Sequence, residues 1–213
     1  MSRFEIVQKI IDDGAVAVIR MSDSHKLLRV AEALLEGGIS ALEITMTTPN
    51  ALKVIEEASR QLPGEVLIGV GSVLDSETAR LAINAGAKYV VSPIFKTEIV
   101  QTAHRYNLPV MPGCFTPTEI LTAHEAGADI VKVFPADVVG MPFFKAIKAP
   151  MPHLNLMPTG GVSLTNAGDW LKAGACAVGV GGALLDKQAI ADGNFAKLTE
   201  NARILRQSIQ SVR

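Results

Sequence analysis

EAGADIVKVFP, residues 125–135, reads as a helix end, a glycine corner and a short apolar strand carrying one lysine, Lys132. The same order recurs in EGGISALEIT (36–45), NAGAKYVVSP (84–93) and KAGACAVGVGG (172–182). Glycine suits such a corner because it enters the left-handed region without a Cβ penalty. The apolar runs that follow are continuous rather than alternating, as parallel strands covered on both faces require.

The four corner glycines, Gly38, Gly86, Gly127 and Gly174, lie 48, 41 and 47 residues apart. Each interval is about twice the shortest βα unit, so a further strand is expected in each gap. VLIGVGSV (66–73), PVMPGC (109–114) and LNLMPTGG (154–161) supply them, and AVAVIR (15–20) completes eight. Leu27, Val30, Ala31, Leu34 and Leu35 show the helical spacing expected between strands. Helix starts are expected at Asp23/Ser24 and at Thr48-Pro49, where an N-cap residue precedes proline. The reading is α/β, a single (β/α)8 barrel domain over 1–213, with an open doubly wound sheet as the alternative. In such a barrel, catalysis belongs at the C-terminal ends of the strands.

Bulk properties narrow the function. Of the 213 residues, 48% are hydrophobic and 19% charged, enough for a large core and unlike a disordered chain. Twenty basic residues face 21 acidic ones, which gives no electrostatic reason to expect nucleic acid or an anionic membrane as partner. Cys114 and Cys176 suggest neither a disulfide framework nor a Cys-x-x-Cys site. The opening MSRFEIVQKIIDDG lacks a signal-peptide core, so a cytoplasmic location is expected.

Two ionisable residues interrupt apolar strands: Glu43 in ALEIT and Lys132 in IVKVFP. Alternation groups Glu43 with Ala41 and Thr45, and Lys132 with Ile130 and Phe134, so both should point inward, with Arg20 ending the first strand nearby. A buried structural ion pair is one reading. The other is a nucleophilic amine with a proton-transfer partner. At an ordinary lysine pKa of about 10.4, only about one amine in 2,500 is neutral at pH 7, and an apolar setting raises that fraction. Glu43 is then the carboxylate placed for general acid/base work. PTGGVS (158–163) and GVGGALL (179–185) follow the last two strands and are expected to enter helices, a place where barrels hold phosphate. GVGSVL (69–74) lacks the third glycine of a dinucleotide fingerprint, and His25, His104, His124 and His153 show no ligand spacing. No cofactor or metal is expected.

With AVIR (17–20), ALEIT (41–45), GVGSV (69–73), VSP (91–93), MPG (111–113), TPTE (116–119), VKVFPAD (131–137), PTGGV (158–162) and GVGG (179–182) in this order, the chain resembles the 2-keto-3-deoxy-6-phosphogluconate (KDPG) and 4-hydroxy-2-oxoglutarate aldolase family. The resemblance implies a homotrimeric class I aldolase that acts on a small 2-keto acid without cofactor. It would split KDPG into pyruvate and glyceraldehyde 3-phosphate, and 4-hydroxy-2-oxoglutarate into pyruvate and glyoxylate. It casts Lys132 as the Schiff-base lysine and Glu43 as the proton-transfer carboxylate. Arg20, Phe134, Thr159, Gly160 and Gly161 match substrate contacts, as do the positions of Thr47, Ser72, Pro93, Gly181 and Gly182. Thr47 stands where many members carry arginine, Ser72 where threonine is usual, and Gly182-Ala183 where a serine often binds phosphate. The 6-phosphogalactonate analogue, a phosphosugar isomerase or epimerase, and an inactive sugar-phosphate sensor are the alternatives.

Overall fold

The computed structural model describes residues 1–21 and 26–213, so the N-cap expected at Asp23/Ser24 lies outside the described residues. Helix α1 (Arg3–Asp13) precedes β1 (Ala15–Ile19), after which come α2 (Leu27–Glu36), β2 (Ala41–Thr45), α3 (Ala51–Gln61) and β3 (Leu67–Gly71). Then follow α4 (Ser76–Asn84), β4 (Val90–Val91), α5 (Thr97–Arg105), β5 (Val110–Met111), β6 (Gly113–Cys114), α6 (Pro117–Glu125) and β7 (Val131–Val133). The chain continues through α7 (Ala136–Lys148), β8 (Leu156–Pro158), α8 (Ala167–Lys172), β9 (Val178–Val180), α9 (Lys187–Ala191) and α10 (Phe195–Gln210).

All strand pairs are parallel, in a curled sheet ordered β5-β4-β3-β2-β1-β9 and a second ordered β6-β7-β8. Backbone contacts join the two. Pro112 alone separates β5 from β6. On the other side the Cys176 N–H donates to the Leu156 carbonyl at 2.9 Å, and Thr159 bridges Gly179.

Local sequence explains the helix ends. Ser2 with Glu5, and Thr116 with Glu119, form capping boxes at α1 and α6, and Pro117 occupies the first turn of α6. The expected cap at Thr48-Pro49 is corrected: α3 starts at Ala51 behind Asn50, whose φ of 55° is left-handed and whose side chain caps nothing. The Ala51 N–H instead reaches the Thr48 carbonyl, which leaves Pro49 outside the helix. Gly140 (φ 69°) breaks the helical path of α7 two residues before Pro142. The corner glycines 38, 86, 127 and 174 all have positive φ, between 90° and 110°, as their place after a helix predicts.

Two apolar layers divide the interior. The larger lies between sheet and helices. The smaller fills the concave face with one or two residues from most strands: Val16, Ala41, Leu67, Tyr89, Val91, Met111, Ile130, Met157 and Ala177. Ile6 and Ile10 of α1 close it from below. Two residues further along the same faces stand Val18, Glu43, Gly69, Gly113, Lys132, Thr159 and Gly179. That upper layer, at the C-terminal strand ends, is where the polar groups gather.

Candidate functional site

Lys132 leaves the middle of β7, in register with Gly113 on one side and Met157 on the other. Its N–H donates to the Pro112 carbonyl at 2.9 Å, which fixes the strand while the side chain crosses the concave face. Glu43 leaves β2, in register with Val18 and Gly69. Lys132 Nζ lies 4.0 Å from Glu43 Oε1, and the side chains are 4% and 1% exposed. Such a separation is an ion-pair contact without a hydrogen bond. The ammonium also stands 5.1 Å from the centre of the Phe134 ring. Glu43 Oε2 is buried without a hydrogen-bond partner.

Space for the carboxylate comes from the neighbouring strand. A Cβ at Gly71 would meet Glu43 Cδ at 2.5 Å and Cγ at 2.6 Å. At Gly69 it would strike the Tyr89 ring, with Cδ2 at 2.5 Å. Only glycine tolerates these approaches, so β3 is cut back twice to admit side chains from β2 and from the residue just before β4. Tyr89 is fully buried, and its hydroxyl has no partner. Burial, and then the charge of Glu43, push its pKa well above the ordinary value of 10.0.

A cavity of about 300 Å³ is lined by Arg20, Phe134, Thr159, Gly160, Gly161, Gly181 and Gly182, with Val18, Val162, Gly179 and Ala183; Lys132 and Glu43 are not in its lining, but Phe134, whose ring faces Lys132, and Val18, in register with Glu43, are. Seven of the expected binding residues therefore converge. Arg20 is exposed at the mouth, while Thr159 is buried with a partnerless hydroxyl that fits only because Gly179 lacks a Cβ. Thr47, Ser72 and Pro93 are not among the cavity's lining residues. Thr47 is exposed, its hydroxyl 2.8 Å from that of Thr45, which also donates to the Ile19 carbonyl. Ser72 holds φ 59° at the end of β3, and Pro93 packs its backbone against Gly113. A larger cavity of about 380 Å³ lies at the opposite strand ends, among Met1, Ile6, Leu67, Lys88 and Leu108, away from both ionisable groups.

The glycine loops differ from expectation in one respect. Neither runs straight into a helix: α8 begins at Ala167, and α9 begins at Lys187 behind its own cap, Asp186. Both helices are short. An anion in the cavity would meet loop amides and Arg20 rather than a helix end. Asp137 packs against the first loop, its Oδ1 2.7 Å from where a Gly160 Cβ would sit. Sequence reasoning gives Tyr89 and Asp137 no role, and it meets Gly69 and Gly71 only as an incomplete nucleotide motif. A tyrosine and a glutamate flanking a strand with glycines at alternate positions is the signal that could have found Tyr89 and the two glycines. Among the described residues, no three His, Cys, Asp or Glu side chains gather as metal ligands would.

Comparison with known proteins gives one consistent family. The family model "KDPG and KHG aldolase" matches residues 6–201. A 2-dehydro-3-deoxy-phosphogluconate aldolase of Pseudomonas aeruginosa is 38% identical over 87% of this chain and 84% of its own length. A 2-dehydro-3-deoxy-6-phosphogalactonate aldolase of Escherichia coli is 32% identical over 78% of this chain and 82% of its own. The crystal structure of a Legionella pneumophila KDPG aldolase, with pyruvate captured as a covalent carbinolamine, superposes with a TM-score of 0.87 at 29% identity, covering 93% of this chain and 97% of that one.

Proposed function

The chain belongs to the KDPG and KHG aldolase family, and from that membership we propose that it is a class I aldolase cleaving KDPG to pyruvate and glyceraldehyde 3-phosphate through a Schiff base on Lys132. The observation that carries the reading is a buried lysine and a buried carboxylate 4.0 Å apart, with Phe134, which faces the lysine, forming a wall of a cavity that Arg20 also lines. In the same reading the two sheets close, through Pro112 and the β8–β9 contacts, into one eight-stranded barrel forming a single domain over residues 1–213.

The neutral amine of Lys132 attacks the C2 carbonyl, and uptake of a proton by the carbinolamine hydroxyl, followed by loss of water, gives the protonated imine. Glu43 takes the proton of the C4 hydroxyl as the C3–C4 bond breaks, so the aldehyde leaves and the electron pair enters the imine as an enamine. Protonation of that enamine and hydrolysis release pyruvate and restore the amine. Arg20 is placed for the C1 carboxylate, Phe134 for the flank of the three-carbon unit, and Thr159, Gly160, Gly161, Gly181 and Gly182 for the far end. Thr47, Ser72 and Pro93, just past the ends of β2, β3 and β4 and outside the cavity's lining, are the remaining proposed substrate contacts.

Cleavage of 4-hydroxy-2-oxoglutarate follows the same steps with glyoxylate as the leaving aldehyde. The phosphogalactonate substrate is the second reading, favoured by the relative from E. coli that bears its name. A cytoplasmic homotrimer belongs to the same proposal; among the described residues, no helix is long and apolar enough to cross a membrane. Borohydride reduction in the presence of pyruvate tests the chemistry. A pyruvyl adduct on the peptide containing Lys132 is expected, and labelling of another lysine, or none, would refute the reading.

A further inference from the structure

We propose that Tyr89 is a positioning residue for the proton-transfer carboxylate, its hydroxyl holding Glu43 Oε2 through one internal water. The proposal rests on Glu43 carrying the proton, as set out above.

Three observations support it. Tyr89 Oη and Glu43 Oε2 are both buried polar atoms without a hydrogen-bond partner. Buried polar groups are satisfied in more than nine cases in ten, and a confined water with several polar neighbours is the usual means when no side chain reaches. Next, Glu43 is in register with Gly69, and the Tyr89 ring occupies the space that a Gly69 side chain would fill. The carboxylate takes the corresponding space at Gly71, two residues on along the same face of β3. Ring and carboxylate are therefore adjacent occupants of one face, the ring below and the carboxylate above. Finally, a plain apolar packing role would be met by phenylalanine, which costs no buried hydroxyl.

The charged and titratable groups facing Glu43, among the described residues, are Lys132 from β7 and Tyr89 from just before β4. Its register neighbours on β1 and β3, Val18 and Gly69, are uncharged, and Arg20 stands beyond at the exposed mouth. Lys132 lies towards Oε1. The phenol, kept protonated by burial and by the glutamate charge, is a donor throughout the working pH range. Its place is to fix the second oxygen, so that the carboxylate presents one orientation to substrate.

Tyr89→Phe removes only the hydroxyl. A donor to the carboxylate favours its charged form, so losing the donor lets a proton bind at higher pH. The acid limb of kcat should move up by roughly half to one pH unit, and kcat on that limb should fall about three- to tenfold. KM, borohydride trapping at Lys132 and thermal stability should stay near wild type. Carbon-13 NMR of glutamate-labelled protein, with Glu43 assigned through Glu43→Gln, reads the carboxyl titration without needing turnover, and its midpoint should rise in Tyr89→Phe. Superimposable pH profiles, or an unmoved midpoint, would overturn the proposal. If the wild type neither traps pyruvate nor turns over, the aldolase reading fails instead, and the NMR midpoint still decides whether Tyr89 holds Glu43.

Discussion

Gly71→Ala puts one methyl group where the Glu43 carboxylate now lies. Ordinary contact begins at 3.4 Å; the new Cβ would overlap Oε1, its nearest neighbour, and stand 2.5 Å from Cδ, so the carboxyl carbon must retreat by at least about 0.9 Å and the oxygen by more. The backbone at Gly71 is ordinary strand, because its φ is not positive, and alanine itself is therefore not strained there. A misplacement of about 1 Å in a reacting group costs on the order of a hundredfold in rate, equivalent to about 2.7 kcal/mol in the catalytic step. Overpacking also costs about 1–3 kcal/mol of stability, a fall of a few degrees in Tm at this chain length. The assay is pyruvate release coupled to lactate dehydrogenase, with circular dichroism for folding and borohydride trapping for the lysine. A folded variant that still traps pyruvate but has lost about two orders of magnitude in kcat/KM is expected. If folded Gly71→Ala kept kcat/KM within about threefold of wild type, the placement of Glu43 would not be what turnover depends on.

Other consequences are open to simpler measurements. Lys132→Met should abolish both turnover and borohydride labelling, whereas Glu43→Gln should lose several orders of magnitude in kcat and still label; mass spectrometry and steady-state kinetics separate the two. The Cys114 thiol, buried and pushed up to about 12 by burial and then by the Glu119 charge, should resist Ellman's reagent until denaturant is added, and that of half-buried Cys176, pushed up to about 12 chiefly by burial, should react slowly in the native protein. Rapid reaction of the native protein would contradict this. Hydrogen bonds from the Phe115 and Thr116 backbone and then from the Thr116 side chain hold the Glu119 carboxyl below its usual 4.5. Its contribution to stability is therefore present above pH 4.5 and lost as pH falls through the depressed value, so the Tm gap between wild type and Glu119→Gln should narrow in acid.

Much of the fold was legible because its corners are chemical necessities. A left-handed residue after a helix calls for glycine, and Gly38, Gly86, Gly127 and Gly174 were readable for that reason. Glu43 and Lys132 were legible because charge inside an apolar strand has few explanations. Arg20, Phe134 and the residues of the two glycine loops gather around one cavity as the family pattern leads one to expect. What escaped was three-dimensional. The cap at Asn50 depends on a local left-handed turn that Thr48-Pro49 does not announce. The short helices after β8 and β9 begin several residues late because turns intervene, which composition does not reveal. Gly69 and Gly71 read in sequence as half of a nucleotide motif, whereas in space they are missing side chains that make room for others.

That exchange of volume bears on any attempt to redesign the enzyme. The shape available to the residues at 43 and 89 is written on β3, not at those positions themselves. A library that varies Glu43 or Tyr89 alone explores a mould whose walls are fixed elsewhere, and larger residues there have nowhere to expand. Conversely, a methyl group added at either glycine of β3 reshapes a polar group that belongs to another strand's course: Tyr89 from Gly69, Glu43 from Gly71. Selection for a different aldehyde partner would gain most by diversifying positions 43, 69, 71 and 89 together, as a single four-letter word.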